Sequence, residues 1–316
     1  MMAINLDDLF PLIRELVPAL DAAQAEVNAE MDPDKRKELI DKYRSRWVAL
    51  RPHMAKLSWE KCWYTESKNP GTDDDVDHYR PKNSVAIQKG EAEHGGYYWL
   101  AFYWRNFRLS CHRGNRLRKH PETNETGGKG DQFPLLDPSK RLRTPTQNQE
   151  ELDKENPLLL DPTRPGDASV ITFTARGVAA INPNYEQNSL ELRRFEESRR
   201  CYHLDWPEFR EERVQLYNLI ERRIRRASEL APARGAVSRS AEFDDIVFEL
   251  RRLMRQDQVF SAAARAYVSS FRHLWWVEFH VLEVTFASAP ASSPASAPAS
   301  SPASPAASSP TPAPAR

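Results

Sequence analysis

Glycine and tryptophan are concentrated in one window of this chain. Eight of the eleven glycines and four of the eight tryptophans lie between Trp59 and Gly130. Because glycine permits the backbone of tight turns, this window predicts short elements joined by loops around an aromatic core. The flanking segments carry apolar residues at helical spacing, as in Leu9, Leu12 and Leu16. The sequence therefore predicts an α+β fold: a mostly helical chain with a central loop-rich core and a C-terminal helical lobe.

Changes in composition divide the chain into five segments. We expect N-terminal helices over 1–58, a core over 59–136, a linker with short β elements over 137–187 and a helical lobe over 188–286. The last segment, 287–316, consists of Ala, Ser and Pro with one Thr and a final Arg. It lacks the apolar residues of a core, which predicts disorder.

Local patterns predict the elements inside these segments. "DVDHY" is a strand candidate, "GGYYWLAFYWRNF" is a strand or short helix, and "CHRGNRLRK" is the opening of a helix. "NPLLLDP" and "SVITFTARGVAAI" are short β elements, the second turning at Gly177. Asp32-Pro33 and the Asp205 to Pro207 segment suit helix starts, and two further helices are expected over 240–256 and 258–285.

Bulk properties narrow the class of protein. Forty-five basic residues balance forty-five acidic ones, so the net charge does not point to a nucleic acid or a membrane. Three cysteines without regular spacing do not describe a disulfide-stapled secreted domain. The longest apolar run, "YYWLAFYW", is far shorter than the roughly 20 residues of a spanning helix. We expect a soluble cytoplasmic protein.

Asp77 and His78 stand side by side at the end of the predicted strand "DVDHY". A neutral imidazole accepts a proton from water near pH 7, and a carboxylate supplies the hard oxygen that a divalent cation prefers. An isolated Asp-His pair is weak support for a site, and its neighbours decide its weight. Upstream lies "KCWYTE", and downstream lies "WRNFRLSCHRGNRLRK".

This ordered set resembles the HNH, or ββα-metal, endonucleases. The resemblance implies that His78 is the catalytic base, that Asn106 braces its loop, and that Asp77 and Asn115 bind one Mg²⁺, with Mn²⁺ as an alternative ion. Two oxygen ligands favour such a hard cation. The implied reaction is metal-dependent hydrolysis of a phosphodiester.

A longer series of motifs resembles the HNH proteins encoded beside an ATPase in Septu-type and retron anti-phage systems. The motifs are "CWYTE", "DVDHYRPK", "YYWLAFYWRNFRLSCHRGN", "DQFPLLDP" and "PLLLDP", between about 40 and 230. This resemblance implies a defence effector that works with an ATPase partner, which the first helices and the C-terminal lobe would dock.

The chain departs from the family at its structural zinc site. The family pattern has two Cys-x-x-Cys pairs, whereas Thr65 and Gly114 stand here where the second cysteines belong. Cys62 and Cys111 would then be a vestigial zinc site, and we expect zinc to be lost. The alternative recruits His112 or Glu66 as replacement ligands.

The segment 105–119 contains six arginines and lysines and no acid, which favours a polyanionic substrate. The predicted nucleic-acid contacts are Arg80, Lys82, Arg113, Arg116 and Lys119. DNA is favoured over RNA as the substrate. The alternative is that these cations only solvate a helix face.

Two functions follow. The first is a metal-dependent HNH endonuclease, and the retention of Asp77, His78, Asn106 and Asn115 favours it. The second is a catalytically inactive adaptor that binds nucleic acid or an ATPase on the same scaffold, which the loss of two cysteines favours.

Overall fold

The computed structural model describes residues 1–69, 71–234 and 238–283, where helices surround three small antiparallel sheets. The predicted α+β class is confirmed. The Ala/Ser/Pro segment 287–316, predicted to be disordered, and the end of the predicted lobe, 284–286, lie outside the described residues. No helix in the described ranges is both long enough and apolar enough to cross a bilayer.

The N-terminal part is helical, as predicted. Its helices are α1 (Phe10–Ile13), α2 (Val17–Ala29), α3 (Pro33–Lys42), α4 (Arg44–Val48) and α5 (Arg51–Leu57). Helix α3 begins where Asp32 accepts hydrogen bonds from the backbone N–H groups of Asp34 and Lys35. Proline follows the cap, where its missing N–H costs no helical bond. The apolar faces of these helices pack on Trp63 and on residues 101–109.

The central part contains two hairpins. Strand β1 (Asp75–His78) pairs antiparallel with β2 (Phe107–Ser110), and Asp77 lies opposite Arg108. The one-turn helix α6 (His112–Asn115) follows β2 directly. The strands β3 (Arg118–Lys119) and β4 (Thr126–Gly127) form the second hairpin. The helix predicted from Cys111 is therefore short, because Arg116 is extended and the next residues join β3.

The aromatic segment before β2 is not a strand. It forms two 3₁₀ turns, Tyr98–Leu100 and Trp104–Asn106, which bury Trp99 and Trp104. Later in the chain come α7 (Gln149–Asp153), β5 (Ile171–Phe173) and β6 (Ala179–Ile181).

The predicted turn between β5 and β6 is confirmed at Gly177, whose φ is +72°. A Cβ there would lie 2.3 Å from the Arg210 carbonyl oxygen, so the position also needs a missing side chain. The β prediction for "NPLLLDP" is wrong. Its only described pairing is an isolated bridge between Leu135 and Pro157, and the leucines at 158–160 are buried without strand geometry.

The C-terminal part is helical. It contains α8 (Ser189–Cys201), α9 (Pro207–Leu230), α10 (Ala241–Leu253), α11 (Ser261–Ser270), α12 (Trp275–Val277) and a π-helix (Glu278–Leu282). Helix α10 confirms the prediction for 240–256. The single helix predicted over 258–285 is wrong, because α11 ends at Ser270 and a turn over 271–274 precedes α12.

The loop 61–67 joins the central and C-terminal parts. Lys61 is fully buried and its Nζ donates to the carbonyl oxygens of Gln256 (2.5 Å) and Gln258 (2.7 Å). The carboxylate of Glu66 accepts hydrogen bonds of 3.0 Å from the Ser261 hydroxyl and the Ala262 N–H, at the start of α11. The loop is thus held by the C-terminal helices through two buried charged side chains.

Candidate functional site

The hairpin β1–β2 and the helix α6 place the predicted site residues around one cavity. Asp77 and His78 are the last two residues of β1, and Asn115 is the last residue of α6. All three line a cavity of about 220 Å³ together with Lys82 and Asp131. The structure therefore brings Asp77, His78, Lys82 and Asn115 together around one cavity.

His78 is held in one orientation by a backbone carbonyl. Its Nε2 lies 2.8 Å from the carbonyl oxygen of Ala101. A carbonyl can only accept, so Nε2 carries the proton and Nδ1 is left with a free lone pair. Trp47 and Phe107 contact the ring edge-to-face, at centroid distances of 5.1 and 5.0 Å. His78 is 5% exposed, and the residue lines the cavity.

The environment keeps His78 neutral. Burial lowers its pKa well below the usual 6.5, the positive charges of Lys82 and Lys129 lower it further, and the bond to Ala101 opposes them. A neutral imidazole with a free Nδ1 is the form that accepts a proton from water.

Asn106 braces the turn that follows His78. Its Oδ1 accepts from the Arg80 N–H (2.9 Å), and its Nδ2 donates to the Arg80 carbonyl oxygen (3.0 Å) and to the Leu100 carbonyl oxygen (3.3 Å). The side chain is 4% exposed and does not line the His78 cavity. Asn106 thus ties the backbone after His78 to the segment that carries Ala101, and it acts by positioning.

Asp77 is held by Tyr64, which stands in the motif "CWYTE" but was not predicted as a site residue. The hydroxyl of Tyr64 donates to Oδ2 of Asp77 at 2.8 Å. Burial raises the pKa of Tyr64 well above 10, with the negative charge of Asp77 adding to the effect, so the hydroxyl stays protonated. The Tyr64 ring stacks on Tyr202 of the C-terminal part, with the centroids 3.9 Å apart.

Asn115 and Asp131 supply further oxygen atoms to the cavity. Asn115 Nδ2 donates to Asp75 at 3.0 Å, which leaves its Oδ1 without a hydrogen bond in the described part of the chain. Asp131 makes one long contact, 3.4 Å, with the Ser84 hydroxyl. Asp131 opens the motif "DQFPLLDP" but was not predicted as a site residue.

The cavity fits a hard, mostly hydrated cation. Mg²⁺ keeps several waters and is held by one or two carboxylates with neutral oxygen donors. Asp77, Asn115 and Asp131 line the cavity and carry such oxygens. Within residues 1–69, 71–234 and 238–283 no three His, Cys, Asp or Glu side chains cluster as a metal cage. The donor set therefore suits an ion whose remaining shell is water and phosphate.

Two lysines lie beside Asp77. Lys129 is fully buried, and its Nζ donates to the His78 carbonyl oxygen at 3.3 Å. Burial lowers the pKa of Lys129, and the negative charge of Asp77 opposes this. Burial likewise lowers the pKa of Lys82, against the charges of Asp77 and Asp41. The sequence "GGKG" is typical of an exposed turn, so Lys129 was not predicted as a site residue. In the structure Gly127 and Gly128 pack closely on the backbone of Arg200 and Arg116.

The four positions of the predicted zinc site converge. Cys62 and Cys111 are fully buried and close together. The Gly114 N–H donates to Cys111 Sγ at 3.3 Å, and a Cβ at Gly114 would lie 3.3 Å from the same sulfur. The Thr65 hydroxyl lies 3.8 Å from Cys111 Sγ. Thr65 and Gly114 thus occupy the places that two further thiolates would need.

Neither replacement ligand lies at the cysteine pair. Glu66 binds the start of α11, as described above. His112 faces Asp75, with its Nδ1 3.5 Å from the carboxylate. The recruitment of Glu66 or His112 as zinc ligands is therefore not supported by their positions.

Arg80 does not fit the predicted contact with nucleic acid. It is 6% exposed, its Nε donates to Glu155 at 2.8 Å, and its NH2 group donates to the Leu152 carbonyl oxygen at 2.7 Å. A buried charge needs such partners, and these occupy the guanidinium. The position of Arg80 is structural, and this corrects the expectation from the motif "DVDHYRPK".

Half of the basic run 105–119 is neutralised by acids from elsewhere. Arg105 pairs with Asp7 (2.7 Å), Arg108 with buried Asp161 (2.6 Å), and Arg113 with Glu208 (2.9 Å). The guanidinium of Arg113 also lies over the Trp206 ring, 5.4 Å from its centroid. The exposed cations left without an ion pair in the described ranges include two predicted contacts, Arg116 and Lys119.

No family model matches the chain, and no solved structure matches it. The chain is 29% identical over 163 residues to the Septu protein PtuB of Bacillus mycoides, strain KBAB4. The match covers 51% of this chain and 48% of that protein, so the chain spans about half the length of this relative. Over half of its length, therefore, the chain is similar to a Septu protein.

Proposed function

We propose that the chain is a metal-dependent endonuclease of the HNH type that hydrolyses nucleic-acid phosphodiester bonds. The observation that carries the proposal is the fixed geometry of His78. Its Nε2 proton is donated to the Ala101 carbonyl, its Nδ1 has no hydrogen bond among the described residues, and His78 lines a cavity that Asp77 and Asn115 also line. The hairpin followed directly by a short helix, with the catalytic groups at the strand and helix ends, supports the same assignment.

Each site residue has a different role in the proposed reaction. His78 Nδ1 takes a proton from the water that attacks phosphorus, a step worth about 10² to 10⁴ in rate. Asn106 fixes the turn after His78, and Tyr64 fixes the Asp77 carboxylate. Asp77 and Asn115, with Asp131 beside them, would hold Mg²⁺, and Mn²⁺ would bind the same oxygens. The ion supplies charge stabilisation to the leaving oxygen when bound.

A cleavage assay tests this proposal. The full chain is incubated with plasmid DNA and with RNA, with Mg²⁺, with Mn²⁺ and with EDTA. We expect metal-dependent cleavage that His78→Ala abolishes. The matched control is His120→Ala, since His120 also bonds a backbone carbonyl through Nε2, that of Asp205 at 3.1 Å, and does not line the His78 cavity. Cleavage that persists in His78→Ala would refute the role of His78.

An anti-phage role is supported by the similarity to a Septu protein. We propose that the chain acts in a Septu-type defence system with an ATPase partner. Co-purification with an ATPase from an adjacent gene tests the partnership, and a plaque assay with wild type and His78→Ala tests the role. Protection that requires both the ATPase and His78 is the expected result.

The second candidate is a binding adaptor without catalysis. The observation that favours it is the pair of lysines beside Asp77, because their charges offset the carboxylate that would attract a cation. The two candidates differ in one measurement. An adaptor binds nucleic acid or the ATPase equally well with and without Mg²⁺, and it shows no cleavage under any metal condition.

A further inference from the structure

A second cavity adjoins the His78 cavity. Its volume is about 290 Å³, and it lies between α3 and the segment 94–99. Lys82 and Asn83 line both cavities. Gly96 packs so closely on this junction that a Cβ there would lie 2.5 Å from the Lys82 carbonyl carbon. Lys82 and Asn83 therefore form a wall that the two neighbouring cavities share.

The second cavity is lined by cations and by no carboxylate. The cations are Arg36, Lys37, Lys82 and Arg143, which we call the basic groove. A larger cavity of about 340 Å³ also has arginines in its wall, but three aspartates line it with them. The basic groove differs because no carboxylate lines it, and such a concave patch of cations attracts a polyanion.

Three cations of the basic groove, Arg36, Lys37 and Arg143, keep hydrogen-bond donors available for phosphate. Among the described residues Arg36 donates only to the Glu30 carbonyl oxygen and lies over the Tyr98 ring, 3.7 Å from its centroid. Arg143 likewise donates only to the carbonyl oxygens of Ala92 and Glu93. Among the described residues no carboxylate pairs with Arg36 or Arg143. Lys37 has one weak partner, exposed Asp34 at 3.7 Å. These backbone bonds orient the guanidinium groups without neutralising them.

The junction also offers a hydrogen-bond acceptor. Asn83 Oδ1 is buried and has no partner among the described residues. An unpaired buried acceptor costs free energy unless a ligand or water donates to it. Phosphate oxygens have no proton to give at neutral pH, so the donor would be an amino or hydroxyl group of a nucleotide.

We propose that the basic groove binds one nucleic-acid strand beside the scissile phosphate, with Arg36, Lys37 and Arg143 on its sugar–phosphate backbone. The inference rests on the proposed function. The two cavities, about 290 and 220 Å³, are small enough to admit part of a single strand and not the body of a duplex. The strand would pass over Lys82 into the His78 cavity. None of the groove cations except Lys82 belongs to the motifs of the sequence analysis.

A binding experiment tests the groove independently of cleavage. Full-length chain carrying His78→Ala is titrated into fluorescein-labelled single-stranded DNA in EDTA, and anisotropy is read at several salt concentrations. For Arg36→Gln with Arg143→Gln we expect affinity to fall about tenfold. The slope of log K against log salt should fall by about 1.4, since each phosphate contact on a single strand contributes about 0.7.

The control removes the same charge elsewhere. Arg222→Gln with Arg225→Gln changes two exposed arginines of α9, and affinity should stay within about twofold of the parent. If Arg36→Gln unfolds the chain, Lys37→Gln with Arg143→Gln asks the same question with exposed side chains. A groove variant that binds like the parent would overturn the proposal.

Two further outcomes distinguish a failure of the groove proposal from a failure of the nuclease proposal. If the wild-type chain shows no cleavage but groove variants lose binding, the groove proposal stands and the nuclease proposal is refuted. If the wild-type chain cleaves and the groove variants keep both its cleavage activity and its affinity, the nuclease proposal stands and the groove proposal is refuted. Equal loss of single-strand and duplex binding would refute the single-strand assignment.

Discussion

The Tyr64 hydroxyl donates a 2.8 Å hydrogen bond to Asp77, and the Tyr64 ring stacks on Tyr202. Asp77 is therefore positioned by a side chain that is itself packed against the C-terminal helices. The neighbouring Tyr202 makes a hydrogen bond of the same length, but to the Leu160 carbonyl oxygen and away from the cavity. The two tyrosines form a matched pair for mutation.

Tyr64→Phe should impair cleavage more than it impairs stability. A hydrogen bond to a charged acceptor is worth about 1.5 to 3 kcal/mol, so a ten- to hundredfold loss of kcat/KM is expected. The Mg²⁺ concentration for half-maximal rate should rise in Tyr64→Phe alone. Tyr202→Phe should lower the free energy of unfolding by about 1 kcal/mol and leave the Mg²⁺ dependence unchanged. Identical Mg²⁺ dependence in both variants would exclude the positioning role.

The pH dependence of cleavage should reflect the lowered pKa of His78. Because the base stays neutral down to well below pH 6.5, the single-turnover rate should show no His78-dependent decrease between pH 8 and about pH 6.5. A rate that titrates with a midpoint at or above pH 6.5 in wild type would contradict this assignment.

The same pKa has a consequence for stability. Below about pH 6.5 the unfolded chain takes up a proton at position 78 that the folded chain excludes. Stability is therefore lost as the pH falls below that value, and His78→Gln should remove this contribution. Urea unfolding of both proteins between pH 7 and pH 5 measures the difference.

Arg80 should matter for stability and not for nucleic-acid affinity. Its removal leaves Glu155 buried without its cation, which costs about 3–5 kcal/mol. Arg80→Met should thus lower the urea midpoint strongly, while Arg80→Met with Glu155→Leu should recover part of the loss. Folded Arg80→Met should bind DNA like the parent. Weakened DNA binding by the folded variant would instead support the nucleic-acid contact of Arg80 that the sequence predicted.

Restoring two cysteines should rebuild a zinc site. In Thr65→Cys with Gly114→Cys, four thiols would converge at the place where Cys62 and Cys111 now lie together. We expect about one zinc per chain by elemental analysis in the double variant and far less in wild type. The Gly114 position is tight, because a Cβ would lie 3.2 Å from the Tyr202 carbonyl oxygen. Each single variant serves as a control, and stoichiometric zinc in wild type would refute the loss.

The sequence predicted best what depends on local chemistry. The helix start at Asp32, the turn at Gly177 and the strand ending at His78 were all readable, because capping, positive φ and β-propensity act within a few residues. The gathering of Asp77, His78 and Asn115 around one cavity also agrees with the motifs.

The partners that side chains find far along the chain could not be predicted from the sequence. Arg80 and Lys82 stand two residues apart in "RPK", yet Arg80 is buried against Glu155 while Lys82 lines the cavity. Only the tertiary fold decides which cation meets an acid. Lys129 and Asp131 were missed for the same reason, since they lie in a glycine-rich loop whose close packing no local pattern indicates.

The bonds of Lys61 to the segment before α11 and of Glu66 to the start of α11 set the smallest fragment in which the site can be studied. A piece cut at residues 59 and 136 would expose two buried charges and would also remove the Tyr202 ring from beneath Tyr64. Asp77 would then lose its anchor, although every residue that touches the cavity is present. Excised versions of the hairpin and short helix should therefore retain at least the chain through Ser270, where α11 ends.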